Sequence, residues 1–543
     1  MKVSLSWLKE LVNYNWSPQE LADRLSLKSI GVKEVNDNFI ELDLTYNRGD
    51  LLSLRGVARE VAAISGTQIK FGNLPNPKQN LPEVSVKIEN PKLAPVYCVA
   101  KIENLKVEKS SDSWIKKLAD SGIRTVNNIA DITNLIMLEY GQPMHAFDGK
   151  KVQNEEIIVR NAKKNETVQT LDGKNRILTT SDLLITDSQG ILGLAGVMGA
   201  KNSEVSNSTN TILLEAAIFD PVTIRKTSMN HGLYSEAGKR FQHRLTKTNL
   251  LNAFAEVIRI YGDQGGKLTA ISLVGDFIEN PKTIILNYDR LNNLIGASIP
   301  KNEVESALNN LGFEVNSNDQ GWEVRPPNWR LDIQIEEDLV EEVARIYGYE
   351  KIETKPLSLE NAEPLDQSIP NLILSLKQKL KNIGLTEVET YSFYSSQVIE
   401  NLNLNKKSLV KIANPITTET EYLRDFIWPN LIEVVDKNIK SDFSDIAIFE
   451  IGKVYSPKKE DLPIEEFRVS IALMNDTDNP ITELEAIIDS LKITKPSGKL
   501  GDLALFHPTR RTKNSAEVHP RILNKFAITK RVAVFEINLE KSL

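Results

Sequence analysis

RLDIQIEEDLVEEVARIYGY, residues 330–349, carries six carboxylates, and its reading sets the organisation of the segment around it. Leu339, Val340, Val343, Ile346 and Tyr347 recur at helical spacing and Gly348 supplies a stop, so the pattern predicts a helix from about Ile335 to Tyr347. At about 100° per residue, Asp338, Glu341 and Glu342 share one arc opposite the apolar stripe. A solvated helix face would look the same, and Glu341 with Arg345 is an ordinary i,i+4 ion pair. The competing reading starts from Asp332, which follows the stiff stretch RPPNWR. A turn there would swing a fourth carboxylate over the arc, and hard divalent cations such as Mg²⁺ take oxygen ligands of this kind. Spacing leaves both readings open.

Outward from this helix, the chain has the composition of a globular protein. Its 543 residues are 41% hydrophobic and 26% charged, enough for several domains. A net charge of −7 shows no global basic footprint, so any contact with nucleic acid has to be local or supplied by a partner. A single cysteine, Cys98, excludes an internal disulfide or a cysteine metal cluster and points to a reducing compartment. The N-terminus is amphipathic, with no apolar run leading to a cleavage site. No stretch approaches the ~18 apolar residues of a membrane span. A cytoplasmic protein that makes no membrane contact is expected.

Four regions are predicted. In residues 1–83, a helical and αβ N-terminal unit, Ser17, Pro18 and Glu20 mark a helix start. NFIELDLTYNRGDLLSLRGVAREVAAISG then reads as a strand, a turn and a helix closing at Gly66. The proline-rich stretch FGNLPNPKQNLPE is a linker candidate. Residues 84–278 alternate short β-branched runs (VSVKIEN, YCVAKIENL, IIVRNA, TILLEAAIF, KLTAISLVG) with loops and a few helices, a mixed α/β domain. Residues 279–356 form a small winged-helix-like module: a helix from about Lys301 to Leu311, strands at FEV and GWEVR, and the carboxylate helix. Residues 357–543 open on a helix from about Asn371 to Ile383 and a strand LTEVETYSFYS. The runs DIAIFEIGKVY, FRVSIALM and RVAVFEINL then predict a large antiparallel sheet flanked by helices. The fold class is thus α+β and multidomain.

No nucleophile elbow, HExxH, EF-hand loop, phosphate-binding loop or dinucleotide fingerprint is present. His145, His231, His243, His507 and His519 are too scattered to form a metal cluster by spacing. Two segments stand out. ADITNLIMLEYGQPMHAFD, residues 130–148, runs into a Gly-Gln-Pro turn and presents Thr133, Asn134 and His145. ILGLAGVMGA, residues 191–200, places Gly193, Gly196 and Gly199 where backbone either packs tightly between strands or approaches a ligand. Glu215 lies inside the apolar run TILLEAAIF. A carboxylate there is costly unless it is paired or lines a pocket.

Taken together, these segments resemble the bacterial phenylalanyl-tRNA synthetase β-subunit family. The matching strings are YNRGDLLSLRGVAREVAAISG, GIRTVNNIADITNLIMLEYGQPMHAFD, TLDG, LGLAGVMGA, LLEAAIFDPVTIRKTS with HGLYSEAGKRF, RPPNWRLDIQIEEDLVEEVARIYGYEKI, NPITTETEYLR and FEIGKVY, in the family's order along the chain. The resemblance implies an α₂β₂ complex that joins phenylalanine to tRNA(Phe) using ATP, with the synthetic site in the α subunit. It implies that residues 84–278 are an editing domain that hydrolyses tyrosine misattached to the tRNA. Glu215 would then accept the tyrosine hydroxyl. Thr133, Asn134, His145, Ala195, Gly196 and Ala237 would shape the pocket and position substrate and water. Asp332, Asp338, Glu341 and Glu342 match the family's Mg²⁺-binding segment. Residues 357–543 would be a class II synthetase-like domain that has become degenerate, because no set of ATP-holding arginines is evident in it.

The chain also departs from the family pattern. Val35 runs directly through NDNFIELDLTYNR, where the resemblance implies a tRNA-binding OB-fold insertion, and a C-terminal ferredoxin-like anticodon-binding domain is not matched. Ala200 replaces the second glycine of a usual pair, RFQHR at 240–244 stands where the family has Arg-Phe-Glu-Arg-Gly, and FHPTR at 506–510 has Thr509 in place of glycine. A free-standing trans-editing hydrolase and a non-catalytic scaffold subunit are the alternatives to a ligase subunit.

Overall fold

A computed structural model describes residues 1–72, 81–277, 279, 281–356, 365–475, 479–491 and 514–539. Most of the expected linker at 71–83 and the FHPTR segment lie outside the described residues. The chain divides into two compact units, Met1–Pro356 and Leu357–Leu543. Both are mixed α+β, with several sheets.

In the first unit, strands Lys2–Ser4, Phe39–Leu42 and Val32–Val35 form a small antiparallel sheet. Helices Leu5–Leu11, Pro18–Lys28 and Leu54–Ser65 pack on it around Trp7, Leu8, Leu21, Ile40 and Val57. The second helix starts as the sequence predicts: the Ser17 hydroxyl accepts from the Glu20 amide at 3.2 Å and Pro18 fills the first turn. The third helix is capped by Ser53 and stops at Gly66, whose φ is 69°. Gly56, inside it, admits no side chain, because a Cβ would lie 2.0 Å from the Asp50 carbonyl oxygen.

The middle of this unit is built from two sheets. One is four-stranded and antiparallel, in the order Lys267–Gly275, Val96–Glu103, Ile212–Ile218, Met144–Asp148. The other has the order Met198–Gly199, Ile191–Leu194, Leu183–Thr186, Glu156–Asn161, Ser85–Ile88, and only its last pair is parallel. Side chains alternate along the four-stranded sheet with a period of two. Cys98, Ala100, Leu214 and Ala216 face helices Asn128–Tyr140 and Lys247–Asp263. Tyr97, Val99, Phe147, Leu213 and Ala217 face the other sheet. Every residue of Ile212–Ile218 is buried, which is why its sequence reads as a nearly continuous apolar run.

At residues 284–347, strands Ile284–Asn287, Gly321–Arg325 and Glu314–Asn318 form a three-stranded antiparallel sheet. Helices Tyr288–Ile295, Lys301–Asn310 and Glu336–Tyr347 close over it around Leu308, Trp322, Leu339 and Val343. The buried Trp322 indole donates to Glu305 at 2.8 Å.

The second unit has a five-stranded sheet in the order Thr386–Glu387, Ile446–Ser456, Ile464–Met474, Ala533–Asn538, Ser515–Glu517, with only the first pair parallel. Helices Ser368–Asn382 and Pro480–Ser490 cover one face and Trp428–Ile439 covers the other. The strand expected at LTEVETYSFYS is only two short pieces, Thr386–Glu387 and Phe393–Tyr394. In this unit Arg424, Arg468 and Arg531 are all engaged by carboxylates: Glu450, Glu466 with Glu536, and Glu517 respectively.

Candidate functional site

Between the two middle sheets lies a cavity of about 280 Å³. Glu215 reaches it because position 215 has the parity of Leu213 and Ala217, the side of its strand that faces the second sheet. Across the antiparallel pair the partner of Glu215 is His145, which has the parity of Phe147. Strand register therefore brings together two polar residues 70 positions apart. Glu215 is only 6% exposed, and its Oε2 has no hydrogen-bond partner. Burial pushes its carboxyl up to about 8, eased in part by the Tyr97 hydroxyl on the neighbouring strand. The Tyr97 hydroxyl is itself buried without a well-formed hydrogen bond. His145 is half-buried as a residue, but its Nε2 is buried without a partner among the described residues, and burial lowers its pKa to about 4. At neutral pH both groups are therefore uncharged.

The glycines of ILGLAGVMGA now have separate physical reasons. Gly199 is the seat of the His145 ring, since a Cβ there would come within 2.7 Å of Cε1 and Nε2. Gly193 pairs with Gly199 across the strand pair. Gly196 turns with a φ of 67°, where a Cβ would meet Ile224, Phe219 and Phe241 at 3.0 Å. Ala237 enters from helix Glu236–Gln242, whose cap Ser235 also donates to the Val197 carbonyl at 2.8 Å and ties the helix to the glycine segment.

Of the expected pocket residues, Glu215, His145, Asn134, Gly196 and Ala237 line this cavity. Thr133 and Ala195 do not. Thr133 donates its hydroxyl to the Ala130 carbonyl at 2.7 Å within its own helix, and Ala195 is packed into the hydrophobic core. Gly199, singled out in the sequence as a close backbone approach, lies under His145, whereas Tyr97, beside Glu215, was not expected from sequence. Strand parity would have identified Tyr97 once the pairing register was known, but the register is a long-range property.

The four carboxylates of the opening stretch are dispersed. Asp332 is held by Arg330 through two bonds of 2.9 and 2.8 Å. Glu342 is buried between Arg330 and Arg345, with Arg345 donating at 2.9 and 2.6 Å. Asp338 caps its own helix, accepting from the amides of Gln334 and Ile335 at 2.7 and 2.9 Å. Glu341 alone is exposed. Among the described residues no group of three or more His, Cys, Asp or Glu side chains is placed to hold a metal ion. In the structure two of the carboxylates engage guanidinium groups and a third engages backbone amides. The expected Glu341–Arg345 pair is not formed. Arg345 instead binds Glu342 and, at 2.7 Å, Glu60 of helix Leu54–Ser65. Burial alone would raise the Glu342 carboxyl, but Arg345 and Arg330 outweigh it and hold the group at about 2. Arg48 completes the network by binding Asp50 and Glu60, each at 2.7 Å.

Comparison with known proteins assigns these regions to families. Residues 93–263 match the B3/4 domain, 284–349 the tRNA synthetase B5 domain, and 360–539 the phenylalanyl tRNA synthetase beta chain CLM domain. All the cavity-lining residues fall within the first match. The phenylalanine–tRNA ligase beta subunit of Carboxydothermus hydrogenoformans is 34% identical, the alignment covering 94% of this chain and 67% of the relative. That of Fusobacterium nucleatum is 32% identical, with 94% and 68% covered, and that of Protochlamydia amoebophila 33%, with 96% and 69%. The chain thus spans about two thirds of the length of these relatives. A solved N-terminal fragment of the phenylalanyl-tRNA synthetase beta subunit from Pyrococcus horikoshii aligns at 19% identity over 64% of this chain and 99% of the fragment, with a TM-score of 0.37. On the sequence relationships, the chain belongs to the phenylalanine–tRNA ligase beta-subunit family.

Proposed function

We propose that this chain is the β subunit of an α₂β₂ phenylalanine–tRNA ligase, acting in the cytoplasm, and that its two-sheet cavity removes tyrosine misattached to tRNA(Phe). ATP and phenylalanine are handled in the α subunit. Residues 1–83 form the N-terminal unit, 84–278 the editing domain, 279–356 a winged-helix-like module, and 357–543 a degenerate class II domain serving as scaffold. The carboxylate-bound arginines of that last domain fit a loss of ATP chemistry.

The observation that carries the editing assignment is the unpartnered Glu215 oxygen in an apolar chamber facing His145. A pocket for phenylalanine rejects an isostere bearing one more hydroxyl only about 10²-fold, so a ligase of this specificity gains from a second site that binds the hydroxyl itself. Glu215 is protonated at neutral pH and can both donate to and accept from a phenol. A phenylalanyl ring would leave it unpaired and so be disfavoured. Asn134, Gly196 and Ala237 shape the chamber around the ring. Thr133 and Ala195 act from behind, by holding helix Asn128–Tyr140 and the Gly196 turn.

Hydrolysis needs water at the ester carbonyl. With its pKa near 4, His145 is a weak base and serves as a neutral hydrogen-bond partner that orients the water through Nε2. Release of tyrosine from Tyr-tRNA(Phe) by the assembled tetramer tests the reading. Parent activity that falls on Glu215→Ala supports it, and equal release by parent and variant rejects it.

A further inference from the structure

The segment RFQHR gives Phe241 to the cavity and ends, through Gln242, His243 and Arg244, in a second recess, an open groove of about 580 Å³. Its walls carry Arg225 and Lys226 from helix Pro221–His231, Arg244, His243 and the exposed Tyr46. Among the described residues no carboxylate lies within ion-pair distance of Arg225, Lys226 or Arg244. The acid that borders the groove, Asp332, is already neutralised by Arg330. The Tyr46 and His243 ring centroids lie 4.6 Å apart with the planes tilted by 40°, and the Arg225 guanidinium lies 5.9 Å from the Tyr46 ring. This pair is fixed from below: the Tyr46 hydroxyl donates to the Gln242 carbonyl at 3.0 Å, His243 Nδ1 to the Lys239 carbonyl at 2.6 Å, and Gly49 leaves no room for a Cβ against His243. Arg244 is held at a φ of 65°, backbone that favours glycine, yet its charge has no partner among the described residues.

Unpaired cations spread along an open groove beside a presented aromatic pair are the two features that single-stranded nucleic acid uses, phosphates on the cations and a base on the rings. We propose that this groove seats the single-stranded end of an RNA whose terminal residue enters the cavity. One short helix connects the two sites: Glu236, Ala237 and Phe241 line the cavity, and Gln242 lines the groove, within a length of about 10 Å. The inference rests on the reading of the cavity as a site for an aminoacyl group carried on RNA.

The test is binding of uncharged tRNA(Phe) transcript to the full chain at several salt concentrations. Arg244→Gly, which relieves the left-handed backbone and so keeps the fold, is expected to weaken binding about three- to tenfold and lower the salt slope by about one. Arg225→Ala with Lys226→Ala and Arg244→Gly is expected to lower the slope by about two or more, and Tyr46→Ala to weaken binding roughly fivefold or more. Unchanged affinity and slope in the triple variant would overturn the proposal. So would absence of binding by the parent, or equal competition by ATP alone, which would make the groove a nucleotide site. Hydrolysis of Tyr-tRNA(Phe) is scored separately. Groove-dependent RNA binding in a parent that releases no tyrosine would keep the RNA seat and remove the assignment of the cavity.

Discussion

Glu215 and His145 are direct partners across an antiparallel strand pair, and each ends in a buried polar atom that has no hydrogen-bond partner among the described residues. Their opposite responses to the same burial, the acid pushed up to about 8 and the imidazole down to about 4, leave both facing groups without charge at neutral pH. Such a pair is suited to a neutral aromatic side chain, and a bound phenol would satisfy the buried Glu215 oxygen.

The raised carboxyl predicts a pH signature. Between about 4.5 and 8 the folded protein keeps the Glu215 proton and the unfolded chain has lost it, so this group makes stability fall as pH rises through that window and level off above it. Glu215→Gln removes the titration. Unfolding by urea from pH 5 to 9 should show the stability of the variant, relative to the parent, rising across the window and flat above pH 8. A constant difference would show that Glu215 is ionised in the native state.

Gly199→Ala should disturb the cavity through His145. The added methyl would sit 2.7 Å from the imidazole, so the ring must move, at a cost of about 1 to 3 kcal/mol. Tyrosine release should fall together with the melting temperature. Removing the ring in Gly199→Ala/His145→Ala should return most of the stability lost to the clash, and a double-mutant cycle on the four proteins measures that coupling.

Glu60→Ala should rank among the most damaging single changes in the first unit, at about 3 kcal/mol or more, because it takes the shared carboxylate away from two buried guanidinium groups. Glu60 and Glu342 are both held well below the usual carboxylate range by their arginines, against the opposing effect of burial. Their stabilisation is present above about pH 4.5 and is lost as pH falls toward 2. Acid titration followed by circular dichroism should therefore show Glu60→Ala unfolding at higher pH than the parent.

Because Arg330 and Arg345 occupy the acidic segment, chelation should leave the isolated chain unaffected. The melting temperature should be the same within error in excess EDTA and in millimolar MgCl₂. An increase of several degrees with magnesium, lost in Asp332→Asn, would show that the carboxylates exchange their arginines for the ion.

Much of the architecture was legible because it is local. The Ser17 cap, the Gly66 stop, the FEV and GWEVR hairpin and the helix ending at Tyr347 all follow from neighbouring residues. Glu215 could be singled out as an acid in an apolar strand without knowing its partner. The arc of Asp338, Glu341 and Glu342 shows where local reading ends. Helical periodicity gives the angle of a side chain but not what stands opposite it, and Arg330, Arg48 and Glu60 come from segments that no helical wheel includes. Thr133 and Ala195 were placed by resemblance next to lining residues, and the structure turns each away by one position.

The Glu60–Arg345 pair spans 285 residues, and this sets a timetable for biosynthesis. At roughly 5 to 20 residues per second, helix Leu54–Ser65 leaves the ribosome about 15 to 60 seconds before the arginine that completes its buried network. During that interval Arg48 is the one partner of Glu60, among the described residues, that has been made. The N-terminal sheet and its helices thus reach their final stability only after the distant module has been translated, so nascent chains stalled before residue 345 should be cut by proteases at sites that the finished chain protects.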